Sequence, residues 1–549
     1  MKKYALSFYI FFTSVLFLVR VIIFAFSLGG IEMDSGWHLG VARNLAQRGI
    51  YASYTNTVTN EGEGDYSSIH SRFSVQDKEG FVYFPAAISA GPGYVVPQAI
   101  IMKVFGYDWW QFRLWPLFTF LGMLLLLFYF TYKLGGFLAL VLIQLWLWIF
   151  PQIYIPMSYE AYGEHIALFY LLFSFFLFIQ KVKSKKTNYL IMFMSGFTLS
   201  LSALTKFISL LAISSFATLF LYDLYLLTKK VIPKKVFIDW FFWGAGFFIP
   251  IIIFEVYRYL SIVSQFGKEG LDAVKSDIRL RFEREGSGLT KLNLEKEFII
   301  NKFLIWNKAG FKHSHFIWLA LLFYPYILIK KSFNKNLSLF ILIFISCLSG
   351  LFWFIIISPT GWARHAWISL LLGLILFFAF VGRLFQILIT WKRFYYLFLI
   401  GLVLIIVINN AMTHAQFTIN EVTVHKWETQ RYIGGLQGLP TNSIFSFEDQ
   451  KEVKIFFKKN ISYNDRIYFL DGFLNSEISV ITDKVFFPFL RYKSLREKNS
   501  QGGASYLIIG PYQKGRLALV GDKYIQEKVN LMCADVVYEN PSYTLCTLR

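Results

Sequence analysis

The sequence predicts a polytopic α-helical membrane protein of about eleven transmembrane helices, with a C-terminal α/β domain outside the cytoplasm. Three observations predict it. The 549 residues are 56% hydrophobic and 20% aromatic but only 16% charged, with a mean hydropathy of +0.50, so the chain needs lipid as its solvent. Apolar runs of spanning length begin near residues 5, 114, 134, 162, 189, 207, 236, 314, 337, 366 and 395. Beyond about residue 411 the apolar runs shorten to strand length.

The basic punctuation between the runs sets the orientation. Met1-Lys2-Lys3, Lys181 to Lys186, Thr228 to Lys235, Lys330 to Lys335 and Trp391-Lys392-Arg393 read as cytoplasmic, which puts the N-terminus inside and the C-terminal domain outside. The net charge of +20 thus reports topology and some affinity for anionic lipid, not nucleic acid. Tyr4 to Leu28 lacks a small-residue cleavage site and reads as a retained first span. Of three cysteines, Cys347 lies in an apolar run, and Cys533 and Cys546 share the C-terminal domain, either as free thiols or as a disulfide. No thiol metal cluster is available, and no P-loop, GxGxxG or HExxH stands in a usable context.

These boundaries divide the chain into a transmembrane part, 1–410, and a C-terminal domain, 411–549. Asn188 to Leu227 is apolar but bounded by basic loops, so it must cross an even number of times; two short helices turning near Thr205-Lys206 satisfy this. The first outer loop, 29–113, holds two candidate interfacial helices. Trp37, Val41 and Leu45 line one face of the first, expected to lie flat on the membrane, and the second starts at Pro97. A second outer loop, 259–313, is charged, with Leu271 to Glu285 its best helical stretch. In the C-terminal domain Arg466 to Leu470, Ile478 to Thr482 and Tyr506 to Ile509 read as strands.

The outer ends of the spans carry the candidate chemistry. Glu32 and Asp34 follow the first span directly, where a carboxylate held ionised near an acceptor hydroxyl can act as a general base; the competing reading is that Asp34 caps the helix beginning there. Glu160 and Glu164, at i and i+4, share a helical face. Arg113 opens the second span, Lys206 sits at the turn described above, and Arg364 with His365 precedes the run from 366. Taken singly, each reads as interfacial decoration, Lys206 as a snorkelling lysine. Taken together, cations among acids on an outer face suit a lipid-linked phosphate, through the bidentate fork of Arg and the point charge of Lys.

The acidic residue Asp34, followed by Trp37-His38-Leu39-Gly40-Val41-Ala42-Arg43-Asn44-Leu45-Ala46-Gln47-Arg48-Gly49-Ile50-Tyr51, resembles the "D…A..L…G.Y" stretch of the GT-C class of membrane glycosyltransferases. Within that class the likeness is to the family 39-like branch of protein mannosyltransferases and aminoarabinose transferases. Ser89-Ala90-Gly91-Pro92-Gly93-Tyr94, Phe105-Gly106 with Gln111-Phe112-Arg113-Leu114, and the Leu204-Thr205-Lys206 turn continue it, over roughly residues 5 to 410. The resemblance implies a GT-C fold and inverting transfer of a sugar from a polyprenyl-phosphate donor to a glycan, lipid or protein acceptor. It implies Asp34 as the base and Arg113, Lys206 and Arg364 on the phosphate side. His365 stands where relatives have an aromatic. Glu32, Glu160 and Glu164 would position acceptor or sugar; a divalent ion there is the other reading, but no clear DxD is present and none is expected. The implied setting is a bacterial cytoplasmic membrane with the site facing the periplasm. A lipid-linked oligosaccharide transferase or ligase is the enzyme alternative, and a lipid-linked glycan flippase or transporter is the alternative of another class. Transporters place functional charges near midspan, whereas here they gather at the ends.

Overall fold

The structure is a computed structural model that describes residues 3–27, 29–53, 75–77, 81–84, 91–183, 189–231, 235–284, 294–309, 315–330, 336–358, 363–388, 445–470, 475–488, 503–511, 513–514 and 523–548. Hydrophobic length dictates its helices. Helix α1 (Lys3–Ser27) is followed by α2 (Met33–Arg48), three two-residue strands β1 (Ala52–Ser53), β2 (Val75–Gln76) and β3 (Val82–Tyr83), and α3 (Pro92–Phe105). Then come α4 (Trp109–Ile149), α5 (Ile155–Tyr159), α6 (Glu164–Lys183), α7 (Tyr189–Thr205), α8 (Ile213–Thr228), α9 (Val236–Arg284) and α10 (Lys296–Ala309). α11 (His315–Lys330), α12 (Leu337–Phe352) and α13 (Trp367–Leu388) complete the described part of the bundle. Among the described residues seven helices are long and apolar enough to cross a membrane, α7 and α11 being shorter apolar helices. The eleventh predicted run, from residue 395, lies outside the described residues, as does 411–444.

α4 counts as two spans. Phe17 of α1 packs on both Phe128, at 5.7 Å between ring centroids, and Trp148, at 5.2 Å. Twenty residues of straight helix would put those two rings about 30 Å apart, so α4 must double back between them. It does so at Gly136, whose φ of 83° and ψ of −172° few residues but glycine adopt. The turn at Thr205-Lys206 is likewise where it was expected: α7 ends at Thr205 and a 3₁₀ segment, Phe207–Ala212, leads into α8.

Three expectations are corrected. The helix after the first span does not lie open at an interface: Ser35 through Asn44 are all buried, between α3 and the C-terminal domain. The second helix of that loop starts at Pro92 with Pro97 inside it, Pro being favoured in the first helical turn. The span from 236 runs past 259 and breaks only at Gly267, with φ 66°. Phe254, near the expected end, packs on Tyr51 and Phe84 of the first loop, and the extra turns add Phe266 against Tyr83.

The C-terminal domain adds α14 (Phe447–Asn460), β4 (Arg466–Phe469), α15 (Ser476–Thr482), β5 (Phe486–Pro488), β6 (Ser505–Ile509), α16 (Lys523–Met532), β7 (Cys533–Glu539) and β8 (Thr544–Leu548). They form a five-stranded sheet in the order β5-β4-β6-β8-β7. β4 pairs parallel with β5 and β6, and β8 runs antiparallel to β6 and β7. Ile478 to Thr482 is therefore not a strand. Parallel β4 and β5 need a crossover between them, and this segment supplies it as a helix. Cys533 and Cys546 are disulfide-bonded.

Candidate active site

The site forms where α1 ends and α2 begins. Residues 29 and 30 are held from the C-terminal domain by main-chain pairing, Gly30 N–H donating to Phe445 O at 2.9 Å and Gly29 bridging Ser446. Gln450 then grips Ile31 from both sides: Ile31 N–H donates to its Oε1 at 2.8 Å, and its Nε2 donates to Ile31 O at 2.7 Å. The next residue, Glu32, is the N-cap of α2, its carboxylate accepting from Asp34 N–H at 2.8 Å. Capping therefore falls to Glu32, and the Asp34 side chain is left for another partner.

That partner is Arg364, whose Nη2 stands 2.5 Å from Asp34 Oδ2. Arg364 sits in a 3₁₀ turn, Ala363–Ala366, ahead of α13, with its guanidinium over the ring of Tyr162. A second ion pair lies beside it, Lys206 Nζ to Glu164 Oε1 at 3.2 Å, and Arg364 also feels the charges of Glu164 and Glu32. Burial, and next to it the charge of Asp34, hold Glu32 well above the ordinary carboxylate range, with Arg364 pulling the other way. Burial also pushes Glu160 up to about 7, against the pull of Arg113 and of a hydrogen bond from Ser35. The four acids thus divide: Glu32 and Glu160 are held toward the neutral form, while Asp34 and Glu164 are matched to cations.

The structure brings Glu32, Asp34, Glu160, Glu164, Lys206, Arg364 and His365 to one end of the bundle, His365 within electrostatic reach of Arg364, Lys206 and Asp34. Arg113 is placed differently. It is buried among the rings of Phe26, Tyr159 and Phe447, and its guanidinium donates to the carbonyls of Ala25 and Gly29, so it ties the end of α1 to α4. Among the described residues no three His, Cys, Asp or Glu side chains are grouped to hold a metal ion. Sequence reasoning missed Lys302 of α10, which is 4% exposed and acts on His365. The signal was present as a lone Lys inside the apolar run Phe298-Ile299-Ile300-Asn301-Lys302-Phe303-Leu304-Ile305-Trp306.

The C-terminal domain reaches the site through α15. A Cβ on Gly36 of α2 would stand 2.3 Å from the main-chain N of Glu477, so this contact requires glycine. Ser476 Oγ donates to Met33 O. Glu477 is wholly buried and accepts from Tyr543 Oη at 3.2 Å, which in turn accepts from Gln450 Nε2 at 3.1 Å. Burial pushes the Glu477 carboxyl up to about 8 from an ordinary 4.5. The folded chain therefore keeps this proton where the unfolded chain has lost it, so stability contributed here falls as pH rises from about 4.5 to about 8. Each unit of that window is worth about 1.4 kcal/mol. Glu477→Gln should accordingly raise the thermal midpoint of the detergent-purified protein at pH 8 and change it little at pH 5. An equal change at both would mean that packing, not ionisation, is at work.

No family model matches the sequence, and no curated protein matches it either. Solved structures do match. The crystal structure of ArnT from Cupriavidus metallidurans bound to undecaprenyl phosphate is similar at a TM-score of 0.55 and 10% identity, over 97% of this chain and 97% of that one. The apo state of the same protein gives a TM-score of 0.51 and 13% identity, again over 97% of each chain. At such identities the likeness is one of fold, and it spans the helical bundle and the C-terminal domain together. This chain is an integral membrane protein with a GT-C-like fold.

Proposed function

We propose that the protein is a membrane glycosyltransferase that moves a sugar from a polyprenyl-phosphate donor to an acceptor hydroxyl, with inversion at the anomeric carbon and Asp34 as general base. The observation that carries this reading is the Asp34–Arg364 ion pair of 2.5 Å, with the Lys206–Glu164 pair beside it, at the end of a GT-C-like bundle. The acceptor oxygen attacks the anomeric carbon as Asp34 takes its proton, and the bond from that carbon to the phosphate oxygen breaks. The leaving lipid phosphate gains a negative charge, which Arg364 and Lys206 meet. An incoming donor phosphate competes with Asp34 for the guanidinium. As it draws Arg364 away, the carboxylate is released toward the acceptor.

In this reading Glu32 and Glu160 line the acceptor or sugar side as proton-bearing groups, His365 lies on the phosphate side, and Arg113 positions the Asp34 loop. The ArnT structure that shares the fold holds undecaprenyl phosphate, which supports a polyprenyl-phosphate donor. The basic loops and the Cys533–Cys546 disulfide support a site facing the periplasm from a bacterial cytoplasmic membrane. The test is a panel of polyprenyl-phosphate sugars incubated with purified protein and candidate acceptors. Release of polyprenyl phosphate in step with product glycosylation is expected for one donor. No release from any member, by protein that still binds a lipid phosphate, would sink the reading.

A further inference from the structure

Lys302 presents a charge that the proposed reaction has not yet used. Its side chain is 4% exposed, and its Nζ has no hydrogen-bond or ion-pair partner among the described residues. Its neighbours are two aromatic faces, Phe298 at 5.1 Å and Phe354 at 5.2 Å. Phe354 belongs to a π-helical turn, Trp353–Ile357, and α10 packs against both this turn and the 3₁₀ turn that carries Arg364. The charge of Lys302 reaches His365, as do those of Arg364 and Lys206. Burial lowers the ammonium to about 8, so at neutral pH it is still mostly a cation.

The charge inventory is therefore uneven. Arg364 is matched by Asp34 and Lys206 by Glu164, but Lys302 is matched by nothing described. A buried ammonium held only by ring faces is poorly compensated, since cation–π contact replaces little of its lost hydration. An anion arriving beside Arg364 and His365 would supply what the protein does not. Glycosyl transfer makes the anion more demanding as it proceeds: the donor is a phosphodiester with one charge, and the departing lipid phosphate is a monoester carrying about 1.5 to 2 charges at neutral pH.

We propose that Lys302 completes an anion subsite selective for a phosphate monoester over a phosphodiester, so that it favours the leaving lipid phosphate over the sugar-bearing donor. This rests on the glycosyl-transfer reading for its role, though not for the existence of the subsite. In that role Lys302 adds to the stabilisation of the leaving group and slows release of the lipid product.

The test uses the full-length protein in detergent at pH 7.5, with tryptophan fluorescence as readout and farnesyl phosphate, its methyl diester and inorganic phosphate as probes. Wild type should bind farnesyl phosphate about tenfold or more tighter than the diester, the scale of one charge-assisted hydrogen bond. Lys302→Gln should bring that ratio to within about threefold by weakening the monoester alone, and Lys302→Arg should restore it. Thermal midpoints guard against misfolding; Lys302→Gln should match or exceed wild type, because it removes a buried unpaired charge. A ratio unchanged in Lys302→Gln, or both lipids weakened alike, overturns the proposal. Inorganic phosphate bound as tightly as farnesyl phosphate would overturn the assignment to a lipid phosphate. A Lys302-dependent monoester preference in a protein that transfers no sugar from any donor would overturn the glycosyltransferase reading while leaving the subsite standing.

Discussion

Asp34→Asn is expected to keep the fold, at a lowered thermal midpoint because buried Arg364 loses its nearest carboxylate, to keep lipid-phosphate binding, and to lower sugar transfer by about a thousandfold, within the range that a positioned general base contributes. The substitution keeps the size of the side chain and its place in the first turn of α2, and Glu32 rather than Asp34 caps that helix, so the helix start is untouched. What it removes is the capacity to accept a proton. The measurement is single-turnover transfer alongside binding of lipid phosphate. Activity near wild type would remove Asp34 as the base, whereas loss of activity with loss of binding would make it a structural partner of Arg364 and nothing more.

Arg364→Gln has the second large expected effect, and it acts on stability and rate together. The guanidinium is buried and balances Asp34 at 2.5 Å while also acting on Glu164 and Glu32. Its loss strands carboxylates in a dry site, at a cost of about 3–5 kcal/mol. In the proposed reaction it also removes a donor from the departing phosphate, worth about a hundredfold or more in turnover. The two effects are separable by a double-mutant cycle. Asp34→Asn in the Arg364→Gln background should recover much of the thermal midpoint, because the stranded charge is gone, and none of the activity. Recovery of both would show that Arg364 serves the fold alone.

What was legible in the sequence depended on how local its cause was. Span positions were readable because hydrophobic length is a property of the segment itself, and the doubling back of α4 was readable because runs of spanning length begin near both 114 and 134. The burial of α2 was not, because what covers it is α15, more than four hundred residues further along the chain. The misreading of Ile478 to Thr482 has the same origin: β-branched residues favour a strand, but the parallel pairing of β4 with β5 demands a crossover there. In the site, the ends of the spans could be placed on one face from their order, which is why Asp34, Glu164, Lys206 and Arg364 could be grouped from the sequence. Which acid pairs with which cation required coordinates. The capping question turned on a shift of two residues, from Asp34 to Glu32, that the sequence Glu32-Met33-Asp34-Ser35 leaves undecided. Lys302 was hidden because its burial depends on how α10 meets a π-helical turn.

The grip of Gln450 on Ile31 sets a schedule for biogenesis. Residues 29 to 31 are synthesised well before their partners at 445, 446 and 450, which lie more than four hundred residues further along the chain. Until then the first loop lacks the hydrogen bonds that set its register, and the acid that follows it has no fixed aim. The start of α2, and with it the place of Asp34, is in this sense set late in synthesis, when the C-terminal domain closes over the first loop.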